Sequence, residues 1–389
     1  MKKALAIVIV VVFLISAIAF LAQNYSASKP ENIEKCYVGV AFCGNTTAEA
    51  KLLIDRVKTY TNLFVVQSGP ISENETALNE ICNYAVNSDL DIIVYFGDLD
   101  SRFMDTSKFW RIPWLSFAKQ QWGNRLLGVQ YYDEPGGFYI DMNRTEWAVG
   151  SNSIFANADY DLAANRFKRL GGDLGFAELE ANAIDVFVSD YALYWFDYLA
   201  GYDVVLAQVG WNHTTEQDIA LLRGAARLQN RNWGAIITWK YTQPPYLDTG
   251  ENIYRQMQNA YAAGAKYIVI FNYPTIDGNE YGVMTDAHFE ALEKFWNDVV
   301  ENPHVTQGSI EAEAVLVLPK NYGWGMRHPE DRIWGWWGPD EKSPQIWALS
   351  RELLSRYGLR LDIVYDDPAF PVEGKYSQTY YWNQTLSFG

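Results

Sequence analysis

Histidine and cysteine are scarce in this chain, with 4 and 3 residues among 389, and 31 lysines and arginines are outnumbered by 47 aspartates and glutamates. Each shortage excludes something. The histidines, at 213, 288, 304 and 328, are scattered and never form an H-E-x-x-H pattern. A polysaccharide deacetylase or another metal-dependent hydrolase, which wants imidazole ligands, is therefore disfavoured. No metal site and no cofactor is expected. Cys36, Cys43 and Cys82 lack metal-site spacing, and three cannot all pair. They read either as one disulfide with a spare thiol or as buried free thiols. A net charge of −16 argues against nucleic acid and against anionic lipid headgroups as partners.

Long apolar runs are also lacking, with one exception. The chain opens MKKALAIVIVVVFLISAIAFLAQ, in which Lys2 and Lys3 precede about nineteen apolar residues, Ala4 to Ala22. That length just spans a bilayer and is long for the core of a cleaved signal. Residues 1–23 are expected to be a signal anchor or a signal peptide, and 24–35 a tether. The basic pair favours a cytoplasmic N-terminus, so the membrane is a partner through this helix. The body would be extracytoplasmic on a single-pass anchor, or secreted if the chain is cut near Tyr25–Ser28. Asn24, Asn45, Asn74, Asn143, Asn212 and Asn383 each begin N-x-S/T, the acceptor pattern of a translocated glycoprotein.

Aromatics, by contrast, are abundant: 15% of residues, with 15 Trp and 26 Tyr. Their faces stack on the apolar faces of sugar rings, and their polar tips bond hydroxyls, so the composition leans toward a carbohydrate partner.

From residue 36 a pattern repeats: a strand-like run, a turn, an amphipathic helix-like run. Strand candidates are Tyr37–Cys43, Leu63–Gln67, Asp91–Phe96, Leu127–Tyr132, Val186–Ser189, Val204–Val209, Ala235–Trp239 and Tyr267–Phe271. Helix-like stretches separate most of them. Eight alternations over about 265 residues predict an α/β fold, a (β/α)₈ barrel over 36–302, rather than an open doubly wound sheet, because no glycine-rich phosphate loop follows the first strand. Residues 135–184 are too long for one helix and read as an insertion covering the substrate face. Beyond 302 the pattern restarts as a small α/β extension, 303–389, with Ala314–Leu318 and Leu361–Tyr365 strand-like and Pro344–Tyr357 helix-like.

The barrel rim is acidic and aromatic. Asp98 and Asp100 follow strand three, Asp133 and Glu134 strand four, and Asp190 strand five. Trp211 and His213 follow six, Lys240 and Tyr241 seven, and Asn272 and Tyr273 eight. The rim carries no Ser-His-Asp or Cys-His arrangement. Carboxylates facing each other across aromatics suit glycosidic cleavage, where one must be protonated and the other ionised. Adjacent residues of a strand point to opposite faces, so Asp133 and Glu134 are not expected to be the two partners of one reaction. Glu134, the longer of the two and braced by Pro135, is the catalytic candidate. Asp190 and Asp98 are candidates for the second carboxylate, and Asp100 is weighed beside them. Asp133, Trp211, Lys240, Tyr241, Asn272, Tyr273 and Trp336 are candidate substrate contacts. Trp334, Trp336 and Trp337 in WGWWG read as indoles displayed on a loop or as core. His213 sits inside a sequon and reads as exposed, and Asp190 alternatively as a helix cap.

With these residues the chain resembles barrel-type glycoside hydrolases. In their largest clan, strand four ends Asn-Glu with the acid/base Glu, and strand seven ends with a nucleophilic Glu. Asp133-Glu134 matches the first in its Glu, while strand seven here offers Lys240. The chitinase-like pattern D-x-x-D-x-D-x-E would align its Glu with Glu134 but finds Tyr132 and Gln130 where it needs Asp. The tail resembles the glutamine-amidotransferase-like domain that follows some such barrels. The resemblance implies a glycoside hydrolase acting on oligo- or polysaccharide. The alternative is a non-catalytic carbohydrate-binding or cell-surface scaffold on a degenerate barrel, which the missing strand-seven Glu favours.

Overall fold

Eight strands close into a parallel barrel in sequence order, with β8 pairing back onto β1. They are β1 Tyr37–Phe42, β2 Leu63–Val66, β3 Asp91–Phe96, β4 Leu126–Tyr131, β5 Asp185–Asp190, β6 Val204–Val209, β7 Asn232–Ile237 and β8 Tyr267–Asn272. The computed structural model describes residues 35–142, 158–172, 174–211, 213–273, 276–302 and 304–384. The sequence reading of eight alternating units thus closes as a barrel and not as an open sheet.

Alternation along the strands explains the closure. Ala41, Leu63, Val65, Ile93, Phe187, Val204, Leu206, Ile236, Tyr267 and Val269 form a buried cluster of their own, the barrel interior. Their neighbours in sequence, such as Val40, Phe64, Val94 and Val205, belong to the larger core under the helices. Strand β7 starts at Asn232, ahead of the expected Ala235, and so takes in Gly234. It lies inside the strand because a Cβ there would come within 2.6 Å of Leu206 Cδ2 and 2.5 Å of the Tyr267 carbonyl oxygen. The interior turns polar toward the C-terminal mouth, where Gln130 Nε2 donates to Ser189 Oγ at 3.0 Å.

The covering helices are α1 Thr47–Val57, α2 Glu75–Asn87, α3 Arg111–Trp122, α4 Pro135–Asp141, α5 Tyr160–Lys168, α6 Leu174–Ala181, α7 Tyr194–Ala200, α8 Thr215–Gln229, α9 Gly250–Ala262 and α10 Asp286–Phe295. The insertion after β4 is thus helical in its described parts, and residues 143–157 fall outside them. No described helix is long and apolar enough to cross a membrane. The Ala4–Ala22 run lies outside the described residues, as do Asn24, Asn143 and Asn212.

The tail forms β9 Ala314–Leu318, α11 Ser343–Tyr357, β10 Leu361–Tyr365 and β11 Gln378–Tyr381, a parallel sheet ordered β10-β9-β11. It docks on α8. Buried Arg223 donates to Asp362 Oδ1 at 2.8 Å and to the carbonyls of Ile310, Leu359 and Leu361.

The display of WGWWG indoles is corrected. Trp334 is 0% exposed and Trp336 4%. Trp334 packs its ring 4.6 Å from Phe196 and 5.8 Å from Phe167, and its Nε1 donates to the Asn321 carbonyl. Gly335 has φ 67°, and a Cβ there would sit 1.9 Å from the Tyr139 carbonyl oxygen, so the loop lies directly on α4. Burial of this much aromatic surface outweighs display, and Trp336 cannot be a substrate platform. The three cysteines are buried free thiols. Burial pushes the Cys36 thiol up to about 12.

Candidate active site

The strand pleat that would separate Asp133 from Glu134 ends at Tyr131. Tyr132 (φ 60°) and Glu134 (φ 50°) both take the left-handed conformation, as do Leu193 (φ 57°) and Trp211 (φ 43°) on the loops beside them. Bulky residues rarely adopt this region, and such strain gathers at functional sites. The Glu134 backbone N–H donates to the Ser189 carbonyl at 3.2 Å, and its own carbonyl starts α4 by accepting from Phe138. Strand-face alternation therefore does not apply to the acidic pair. The two carboxyls interact, and the Glu134 charge is among the causes that raise Asp133.

Asp133 is exposed at the rim beside Glu134. Crowding by the surrounding loops, then the Glu134 charge, raises its carboxyl. Glu134 is half-buried. Burial raises its pKa, Asp141 raises it further, and a hydrogen bond from Gln208 opposes both. That bond, Nε2 to Oε1 at 2.5 Å, comes from the last inward-facing residue of β6.

Glu134 opens on a cavity of about 570 Å³ lined also by Asp141, Tyr191, Trp211, His213, Arg327 and His328. Asp141 ends α4. It accepts from Arg327 Nη2 at 2.8 Å and from the Tyr191 hydroxyl at 2.7 Å. Partial burial would raise Asp141, but Arg327 and Tyr191 outweigh it and hold the carboxyl below its usual range. Arg327 is itself gripped by Asp331, Nε to Oδ2 and Nη2 to Oδ1 both at 2.8 Å. His213, expected to be exposed, is a wall of this cavity, and its side chain is 11% accessible. Burial, then the Arg327 charge, lower its pKa to about 4, so the ring is neutral at neutral pH.

The remaining candidates fall elsewhere. Asp190 is 0% exposed. Its Oδ2 accepts from Gly136 N (2.5 Å), and its Oδ1 from Gly137 N (2.8 Å), Tyr191 N (2.7 Å) and Ala192 N (3.2 Å). Burial pushes it up to about 7 against those donors. Fully buried, with both oxygens on backbone N–H groups and outside the cavity lining, it braces the Glu134 turn, which corrects its placement as a catalytic partner. Asp98 and Asp100 close their own loop: Asp98 Oδ1 accepts from Asp100 N, and Asp100 pairs with Arg102. Neither lines the cavity. Asn272 spends its Oδ1 on the N–H groups of Val283 and Met284. Tyr241 and Tyr273 are 45% and 41% exposed near Trp239, with Lys240 half-buried between, and none of them lines this cavity.

Gln208, Asp141, Tyr191 and Arg327 were missed. Gln208 was readable, being inward by period two from Val204 and Leu206. Asp141 comes back beside the Glu134 cavity once 135–141 is seen as helix. Nothing local announces Arg327, which arrives from the tail. Among the described residues no cluster of three or more His, Cys, Asp or Glu could hold a metal ion.

No protein-family profile matches the chain, and no curated protein matches its sequence. Solved structures match in fold. A β-mannanase from the blue mussel Mytilus edulis superposes over 70% of this chain and 95% of its own at 9% identity, TM-score 0.43. An α-L-fucosidase isoenzyme 2 from Paenibacillus thiaminolyticus covers 85% of this chain and 58% of its own at 11% identity, TM-score 0.50. A 3-deoxy-D-arabino-heptulosonate 7-phosphate synthase from Thermotoga maritima covers 69% and 86% at 10% identity, TM-score 0.38. Neighbours thus include glycoside hydrolases alongside other barrel enzymes, and at these identities the likeness is one of fold.

Proposed function

We propose that this protein hydrolyses glycosidic bonds in oligo- or polysaccharide, with Glu134 as general acid. The observation that carries this is Glu134 itself: a half-buried carboxyl with raised pKa, one oxygen fixed by Gln208, opening on a cavity with Trp211 and Tyr191 in its wall at the mouth of the barrel. A raised pKa favours the protonated form, as protonation of a leaving oxygen requires. Oε2 has no hydrogen bond from the described residues and is left for that proton. Arg327 is engaged by Asp331 and Asp141, so the cavity's arginine is not available to an acidic sugar, and a neutral glycan fits better.

Reducing-sugar release by the full-length chain from a panel of neutral α- and β-linked glycans tests this. Glu134→Gln should lower release by at least 10²-fold, within the range for loss of a general acid. No release from any glycan, with binding retained, would favour the scaffold alternative. The end of β7 is the specific observation on that side: it leads into Thr238, Trp239 and Lys240, with no carboxylate.

We also propose that the body lies outside the cytoplasm, on the strength of Lys2-Lys3 and the Ala4–Ala22 run. Protease added to intact cells should digest it, and full protection would contradict the placement.

A further inference from the structure

Among the described residues no other strand end supplies a carboxylate to the Glu134 cavity. Asp190 is committed to backbone groups, Asp98 does not line the cavity, and the described end of β7 offers none. One other carboxylate lines the Glu134 cavity, and it comes from the same helix. Asp141 ends α4, Glu134 stands immediately before its first residue, and both open on the one cavity. Its environment is opposite in character. Glu134 receives one neutral amide donor. Asp141 receives a guanidinium and a phenol, one on each oxygen, and each oxygen keeps a lone pair.

We infer that Asp141 is the second carboxylate of the reaction, acting as base for water, and that the C-terminal extension completes the active site by delivering Arg327 to it. This rests on the glycosidase reading above. In an inverting reaction a water stands between the two carboxyls, and the cavity of about 570 Å³ that both line has room for one. Inverting enzymes hold theirs about 6.5–9.5 Å apart, and retaining ones about 5–5.5 Å. The step balances as follows. Glu134 gives its proton to the glycosidic oxygen as the C1–O bond breaks. Water forms the new bond to C1 from the opposite face and loses a proton to Asp141. Both carboxyls then exchange protons with solvent, and the sum is addition of one water.

Arg327 is a positioning residue. It is held by Asp331 behind it and lies over the Tyr191 ring at 5.4 Å, while the WGWWG loop presses the same segment onto α4. The charged and titratable groups facing Asp141 are Arg327, Tyr191 and Arg332, with Glu134, His213 and His328 around the cavity. Arg327 is the one that both bonds Asp141 and carries opposite charge. Its removal should raise the Asp141 pKa and move the acidic limb of kcat/KM to higher pH.

The test uses full-length protein and the neutral glycan of the panel that it cleaves fastest. Proton NMR of the first-formed product should show the anomer opposite to the substrate's. Asp141→Asn, at a half-exposed position where folding is retained, should lower kcat at least 10²-fold. Azide should restore turnover of this variant as glycosyl azide of inverted configuration. Arg327→Met should keep measurable activity with a raised acidic limb. A retained anomer, or Asp141→Asn within threefold of wild type, would overturn the assignment while leaving Glu134 as acid. Absence of cleavage by the wild-type chain would overturn the glycosidase reading and this assignment with it.

Discussion

Replacing Asp190 with alanine should destabilise the protein by about 4 kcal/mol. The side chain is fully buried and accepts from four backbone N–H groups, those of Gly136, Gly137, Tyr191 and Ala192. Truncation strands all four inside the rim, at roughly 1 kcal/mol or more for each buried donor left unmade. Asparagine keeps an acceptor but turns an NH₂ toward one of the glycine N–H groups, so about 2 kcal/mol is expected. Because the donors at Gly136 and Gly137 form the turn that holds Glu134, both variants should also lose activity. Urea unfolding followed by tryptophan fluorescence reads the difference. The sign with pH follows from burial, which holds the carboxyl up to about 7. Folding then takes up a proton between about pH 4 and 7, so this group's contribution is complete below that window and is lost across it. Asp133 and Glu134 are raised as well and act in the same sense, so Asp190→Asn should flatten the slope without abolishing it. An alanine variant with an unchanged urea midpoint would refute the bracing role.

Arg223→Ala should cost about 3–5 kcal/mol by leaving Asp362 without its closest cation in a buried place, and limited proteolysis should then cut first between 304 and 384; equal protease resistance would count against this docking contact. The three thiols should ignore Ellman's reagent in the native protein and all three should titrate on unfolding. A single reactive thiol after unfolding would mean that two are paired.

The barrel was legible because its evidence repeats. Eight apolar runs at strand length, each followed by a turn and an amphipathic stretch, leave few architectures, and errors stayed at strand ends such as the start of β7, where Gly234 belongs to packing rather than to a turn. The site was legible only where it is local. Glu134 stands out because Pro135 and two glycines stop the strand behind it. Asp190 was visible as a carboxylate, but its four donors are set by how the β4 and β5 loops fold together, and no periodicity reports that. Arg327 lies about 190 residues from Glu134 in sequence, and only docking of the tail brings them to one cavity. WGWWG failed for the same reason: its glycines suggested display, whereas they permit close approach to α4.

The most direct test of Glu134 as general acid compares wild type and Glu134→Gln on two substrates of the same neutral sugar, its natural glycan and its 2,4-dinitrophenyl glycoside. The dinitrophenolate leaves without protonation. The account predicts a loss of about 10²–10⁴-fold on the glycan and little loss on the dinitrophenyl substrate. Equal losses on both, or none on the glycan, would contradict it.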